Sequence, residues 1–295
     1  MKIKIQDLLK DIIYIKYSGP KNQIIDKLVS LNEINGTSQA ICWCSEKNSK
    51  ILSKINTSSI VIVNSNINED LLKNVNYLMV EKPRLIFQQI LTKYFVSPRL
   101  SNISSSSIIS SDCSIGKNAF IGHNVIIEKG CTIGNDVVIM HNSVIMENTI
   151  IGNNVNIGCN STIGGTGFGY EKNLEEEYEL IPHIGNVIIR NNVDIGNNTC
   201  VDRAVLGSTL INENVKIDNH VHIAHNAAIG KNSIVTAGTV ISGSVKVGES
   251  CWLGPNSTIN NKVSMADFST LGIGSVLLKT KINKGTYFGI PAKKI

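Results

Sequence analysis

CSIGKNAFIGHNVIIEKGCTIGNDVVI, residues 113–139, puts an isoleucine at every sixth position: Ile115, Ile121, Ile127, Ile133 and Ile139. The series starts at Ile103 and runs unbroken to Ile163. It resumes at Ile189, Ile195 and Val201, and again from Ile211 through Ile217, Ile223 and Ile229 to Leu277. These 26 hexapeptides all open on an aliphatic residue or methionine, which chance does not produce. Two columns accompany the series. The residue after the aliphatic is often glycine (Gly116, Gly122, Gly134, Gly152), which suggests a corner needing positive φ. The residue two before it is small or β-branched (Cys113, Ala119, Val125, Cys131, Val137) and must point inward beside the aliphatic. A period of six predicts a parallel β-helix of triangular coils, three hexapeptides and 18 residues to a coil. Cys113 and Cys131 are one coil apart and read as stacked core residues, not metal ligands.

The series breaks twice. The residues between Ile163 and Ile189, and between Val201 and Ile211, exceed one hexapeptide and must leave the prism as excursions over 164–186 and 202–210. The longer one, GGTGFGYEKNLEEEYELIPH (164–183), carries aromatic residues and an acidic run. Loops on a rigid scaffold are where binding usually resides. Glu175, Glu176 and Glu177 read as a solvated tip, and Gly165-x-Gly167-x-Gly169 lacks the strand–turn–helix setting of a dinucleotide loop.

Residues 1–99 show no hexapeptide. SSIVIVN (58–64) and NYLMVE (76–81) read as buried strands, and EDLLKNV (69–75) and RLIFQQILTKYF (84–95) as helices. CWCS (42–45) reads as a strand end with alternating faces. The expected organisation is therefore mainly β: a small α/β domain (1–99), a β-helix (100–278) and a short tail (279–295). Charged residues are only 17% and aromatics 5%, which suits such a helix. A net charge of +5 without a basic run argues against nucleic acid or a membrane surface as partner. Seven cysteines in so long a chain, no apolar run near the N-terminus and no membrane span predict a cytoplasmic protein with free thiols.

The hexapeptide helix resembles that of the bacterial acyltransferases that use a left-handed β-helix. More closely, IPHIGNVIIRNNVDIGNNTCVDRAVLGSTLINENVKIDNHVHIAHNAAIG (181–230), with GGTGFGY (164–170) upstream, looks like the UDP-3-O-acylglucosamine N-acyltransferases of lipid A synthesis. The resemblance implies that His225 of "IAHN" is the general base that takes a proton from the attacking amine, as an imidazole suits. It implies Asp218 of "IDN" as a partner for that imidazole. It places Gly165, Phe168, Gly169 and Tyr170 along the sugar site, with His222 and Asn226 beside it, and Trp43 on the nucleotide base.

Three departures stand against the closest resemblance. Where that family has Phe-x-x-Asn-x-x-Tyr, this chain offers Trp43, Glu46 and Ser49. A second family histidine is replaced by Lys262. The chain ends on GTYFGIPAKKI, like the CoA-dependent hexapeptide enzymes, instead of continuing into a helical segment for acyl-carrier protein. These favour an acyl-CoA-dependent N-acylation of another nucleotide-linked amino sugar, on UDP or dTDP, for a surface polysaccharide. CoA would then run past Gly243, Lys262, Gly289, Pro291 and Lys293. The alternative is the lipid A reaction itself with acyl-carrier protein. Either way the relatives imply a homotrimer with sites between subunits and no bound metal.

Other readings remain open at this level. Gamma-class carbonic anhydrases use the same kind of helix and three histidines on zinc, for which His183, His220 and His225 could be recruited. A non-catalytic scaffold is another. His123 and His141, 18 apart, read as an outward structural ladder.

Overall fold

The computed structural model describes residues 2–97, 99–279 and 281–295. The chain forms two compact units, Met1–Pro98 and Arg99–Ile295.

The first unit is built on a five-stranded sheet in the order Lys16–Ser18, Val75–Val80, Thr57–Asn64, Ala40–Trp43, Lys27–Leu28. Only the Lys16–Ser18 edge runs antiparallel. Ile60, Val61, Ile62 and Val63 are all buried, as a parallel strand covered on both faces demands. In Ala40–Trp43 the faces alternate. Ala40, Cys42 and, just beyond, Cys44 enter one core cluster, whereas Ile41 and Trp43 join the other. Burial pushes the Cys42 thiol up to about 12 and that of Cys44 to about 11, so neither offers a thiolate to a metal. The segment expected as a helix over 69–75 is only a 3-10 turn, Glu69–Leu72, because strand Val75–Val80 begins at once. The helix expected over 84–95 is Pro83–Ile90, with a π turn over Leu91–Phe95.

The second unit is a left-handed parallel β-helix. Its three sheets are stacks of two- to four-residue strands in which partners are one coil apart. Ile121 pairs with Ile139, Ile127 with Ile145 and Ile133 with Ile151, each separated by the predicted 18 residues. The aliphatic column from Ile121 to Leu277 fills the core. The small column lies beside it, and most of its buried hydroxyls find carbonyls: Ser143 Oγ donates to that of Gly158 at 2.7 Å and Ser233 Oγ to that of Gly248 at 3.0 Å, whereas Ser269 Oγ has no partner among the described residues.

The corner chemistry differs from the expectation. Positive φ falls three residues after the aliphatic, on a column made mostly of asparagine: Asn118, Asn124, Asn142, Asn154, Asn226 and Asn256. Asparagine tolerates this region better than most side chains. The glycines immediately after the aliphatic have another cause, crowding between coils. A Cβ on Gly116 would lie 2.5 Å from the carbonyl carbon of Gly134, and one on Gly134 would lie 2.6 Å from that of Gly152.

The excursions are ordered. Tyr170–Lys172 and Tyr178–Leu180 form an antiparallel hairpin, and Glu175, Glu176 and Glu177 are at its exposed tip. The residues expected as a tail instead close the helix. Lys281–Ile282 continues one sheet, Thr286–Phe288 continues another, and Lys293–Lys294 folds back antiparallel on the latter. Tyr287 is buried in the core and Ala292 packs against it.

Candidate active site

The two interruptions meet at one corner of the prism. Strand His222–Ile223 carries His222 outward, and two residues on, around the corner, the chain presents His225. One coil earlier the same face carries Cys200–Asp202 and, before it, Thr162–Gly165. The register slips between Ile163 and Gly165, where Gly164 sits at φ +87. That bulge launches the longer excursion beside His225.

A network fixes the His225 ring. Asn226 Nδ2 donates to the Leu206 carbonyl at 2.9 Å, and Asn226 Oδ1 accepts from the Val205 N–H at 3.0 Å. Its amide orientation is thereby determined. His225 Nδ1 lies 3.2 Å from that Oδ1, an atom that can only accept, so Nδ1 carries the proton and Nε2 the lone pair. Below the ring is Gly243, where a Cβ would lie 2.8 Å from both Cε1 and Nε2. In other coils the side chain at this position accepts from the N–H one coil earlier, as Asn153 Oδ1 does from Asn135 at 2.8 Å. Glycine at 243 removes that rung and makes room for the imidazole.

His183, at the end of the longer excursion, packs edge-on against His225 with ring centroids 5.2 Å apart. Gly167 is wedged between them, since its Cβ would come 2.7 Å from His183 Nε2 and 2.9 Å from His225 Cβ. Asp202 is buried close by, and burial holds its carboxyl above the ordinary carboxylate range against the pull of His222, His225 and His183. His222 Nε2 lies 3.7 Å from Asp202 Oδ2. The neighbouring Arg203 points elsewhere, with Nε on the Gly164 carbonyl at 2.7 Å and a terminal nitrogen on Glu147 Oε1 at 2.8 Å. Arg203, helped by Lys129, holds the Glu147 carboxyl below its usual range. The arginine thus pins the base of the glycine loop to the shorter excursion.

The expected residues therefore divide. His225, His222, Asn226, Gly165 and Gly169 share this corner, where a Cβ on Gly169 would lie 3.1 Å from His183 Cε1. Phe168 and Tyr170 stand outside it with ring centroids 5.0 Å apart, and with Tyr178 and Ile181 they line an apolar cavity of about 640 Å³. Asn226 clamps the 202–210 excursion with its whole amide. Asp218 is not beside His225 within the chain. It is exposed on the preceding corner, across the face that strand His222–Ile223 occupies, and its Oδ1 accepts from the Asn219 N–H at 2.8 Å. His220 occupies that same preceding corner at φ +57, so the three histidines of the zinc reading do not converge in one chain. Lys262 is an exposed corner residue at φ +60, two coils below Asn226 and so about 10 Å along the axis. Gly289, Pro291 and Lys293 belong to the terminal cap. Trp43 belongs to the first unit. With Glu46, Asn64, Lys82 and Arg84 it lines a cavity of about 730 Å³ at the carboxyl ends of the parallel strands.

Sequence reasoning passed over Asp202, Arg203 and the clamping role of Asn226. The signal was present: "VDR" (201–203) falls where the repeat breaks, and a break needs something to hold it.

A prism of hexapeptide coils with a tautomer-fixed imidazole at a corner defines a hexapeptide acyltransferase. The family model described as bacterial transferase hexapeptide (six repeats) matches residues 130–165 and 208–243. The UDP-3-O-acylglucosamine N-acyltransferase of Campylobacter lari is 38% identical over 304 aligned residues, 98% of this chain and 93% of that protein. That of Christiangramia forsetii is 48% identical over 84 residues, 28% of this chain and 25% of that protein. In fold, the chain is similar to the UDP-N-acetylglucosamine acyltransferase from Campylobacter jejuni, with a TM-score of 0.60 and 22% identity over 66% of this chain and 74% of that one. The chain belongs to the UDP-3-O-acylglucosamine N-acyltransferase family and is an N-acyltransferase.

The preference for a CoA-dependent enzyme acting on another nucleotide-linked amino sugar is thereby corrected. A match along nearly the whole of both chains makes Trp43, Glu46, Ser49 and Lys262 variation inside the family. With 93% of the Campylobacter lari protein spanned, the short ending is no mark of a different enzyme. No helix among the described residues is long and apolar enough to cross a membrane.

Proposed function

We propose that this chain transfers an acyl group from an acyl-carrier-protein thioester to the amino group of UDP-3-O-acylglucosamine, in lipid A synthesis. The observation that carries the reading is the His225 tautomer. With Nδ1–H committed to Asn226, Nε2 is available as the base. The amine nitrogen attacks the thioester carbonyl, Nε2 takes one of its protons, and the tetrahedral adduct collapses with loss of the thiolate. The Gly243 N–H beneath the ring has no acceptor among the described residues and is a suitable donor to the oxyanion.

The cavity around Trp43 suits the nucleotide: an indole for the base, and Lys82 and Arg84 for phosphate. The apolar cavity lined by Phe168, Tyr170 and Tyr178 suits an acyl chain. In this reading the enzyme is a cytoplasmic homotrimer with sites between subunits. Its seven free cysteines fit a reducing compartment. Asp218, from its own corner, would serve as His225's partner only across such a subunit boundary.

The test is amide formation from UDP-3-O-acylglucosamine with acyl-carrier-protein or acyl-CoA thioesters in parallel. Turnover with the protein-borne thioester is expected. His225→Ala should lower kcat about 10²-fold or more while substrate binding persists. No amide with either donor, or an unaffected His225→Ala variant, defeats the reading.

A further inference from the structure

Two acceptors near His225 lack a donor. Asp202 is only 9% exposed, yet its carboxylate accepts no hydrogen bond among the described residues. Among the described residues its one cation-capable contact within 4 Å is His222 Nε2, at 3.7 Å and so beyond hydrogen-bond reach. Arg203 gives it nothing, being spent on Glu147 and the Gly164 carbonyl. His183 is 7% exposed, and its Nδ1 lies 2.7 Å from the Ile181 carbonyl, so Nδ1 holds the proton. The lone pair on its Nε2 is buried without a partner. A buried acceptor without a donor, as His183 Nε2 is, is costly; the Asp202 oxygens still touch solvent but accept from no protein group, and a ligand that brings N–H groups serves both.

We propose that Asp202 makes the enzyme select an amine over a hydroxyl as acyl acceptor, by holding the N–H that the product keeps. This rests on the N-acyltransfer read above and adds the residue that sets its specificity. A primary amine has two N–H groups. As the C–N bond forms and the C–S bond breaks, one proton goes to His225 Nε2 and from there to the departing thiolate, which leaves as a thiol. The other stays as the amide N–H and is donated to Asp202 throughout. A hydroxyl has a single proton, which His225 must take. Its oxygen would then face the carboxylate with lone pairs only. The unpartnered Nε2 of His183 adds a second acceptor that favours a donor-rich group.

The experiment compares UDP-3-O-acylglucosamine with its 2-hydroxy counterpart, as substrates for turnover and as ligands for the wild-type enzyme. Wild type should bind the amine at least about 10-fold more tightly than the alcohol and form amide in large excess over ester. Asp202→Asn should lower kcat/KM for the amine roughly 10- to 100-fold and narrow the amide-to-ester preference by a similar factor. Asp202→Glu, which keeps the charge, should recover part of that preference. Equal binding of amine and alcohol by wild type, or an unchanged preference in Asp202→Asn, overturns the proposal. The wild-type binding comparison needs no variant to fold. A wild type that makes no amide at all defeats the functional reading instead, so the two failures are distinguishable.

Discussion

Gly243→Ala separates the demands of the scaffold from those of the site. The backbone at Gly243 lies outside the left-handed region, so alanine brings no conformational strain there. Its methyl would sit 2.8 Å from Cε1 and Nε2 of His225. That is about 0.7 Å or more inside normal carbon contact. The atoms it meets are the far end of a side chain, so the imidazole must tilt off its seat while the backbone stays. A misplacement approaching 1 Å in a reacting group costs on the order of 10²-fold in rate. Stability should change by less than about 1 kcal/mol, since no coil has to move. The matched control is Gly230→Ala, whose methyl would meet the carbonyl oxygen and carbon of Gly248 at 2.3 and 2.4 Å. There backbone opposes backbone, and the overpacking should cost about 1–3 kcal/mol. Steady-state turnover and urea unfolding on the two variants decide the matter. Gly243→Ala with kcat within about threefold of wild type, or with the same stability loss as Gly230→Ala, refutes the idea that Gly243 exists to seat the His225 ring.

Asn226→Gly keeps the left-handed corner open but removes the acceptor that holds His225 Nδ1–H. Turnover should fall about 10-fold or more, and ¹⁵N NMR of the imidazole should report a tautomer mixture. Arg203→Leu strips the Gly164 carbonyl and Glu147 of their partner and should cost about 2–4 kcal/mol in urea unfolding, with faster proteolysis in the 164–183 excursion. Burial raises the Asp202 carboxyl above its unfolded value, so the folded state binds the proton more tightly. Stability attributable to this group must therefore fall as pH rises from the unfolded value through the folded one. Asp202→Asn should accordingly melt higher than wild type at neutral pH, with the difference vanishing in acid. Among the seven thiols Cys200 is the exposed one, and it should react first with a thiol reagent on the native protein.

The helix was legible because its rule is strict. A six-residue period with an aliphatic at one place and a small residue two before it admits few other architectures, and every aliphatic from Ile121 on is in the core. The glycine column misled, because a missing side chain can mean either a left-handed turn or a close neighbour. Only the coil-to-coil spacing around Gly116 and Gly134 tells them apart. That His225, Gly165 and Gly169 share one corner was legible only through family resemblance. Asp218 stands a corner away from His225 within the chain, because proximity in sequence across a corner is distance in space. Asp202 and the clamping role of Asn226 lay hidden for the opposite reason, the groups they face being some twenty residues away in sequence. The CoA reading gave three local departures more weight than one long match.

The coils of this prism touch only their immediate neighbours, so cooperativity travels along one axis. Fraying should begin at the first coil, where Ile103 is half exposed, and be slowest where coils stack on both sides. The coil that bears His225 is such an interior one, and the folded-back strand Lys293–Lys294 closes the far end with an antiparallel edge. In the one sheet it extends, that edge also denies another chain a parallel template end to end. The corner that bears His225 is thus held by the part of the solenoid that opens last.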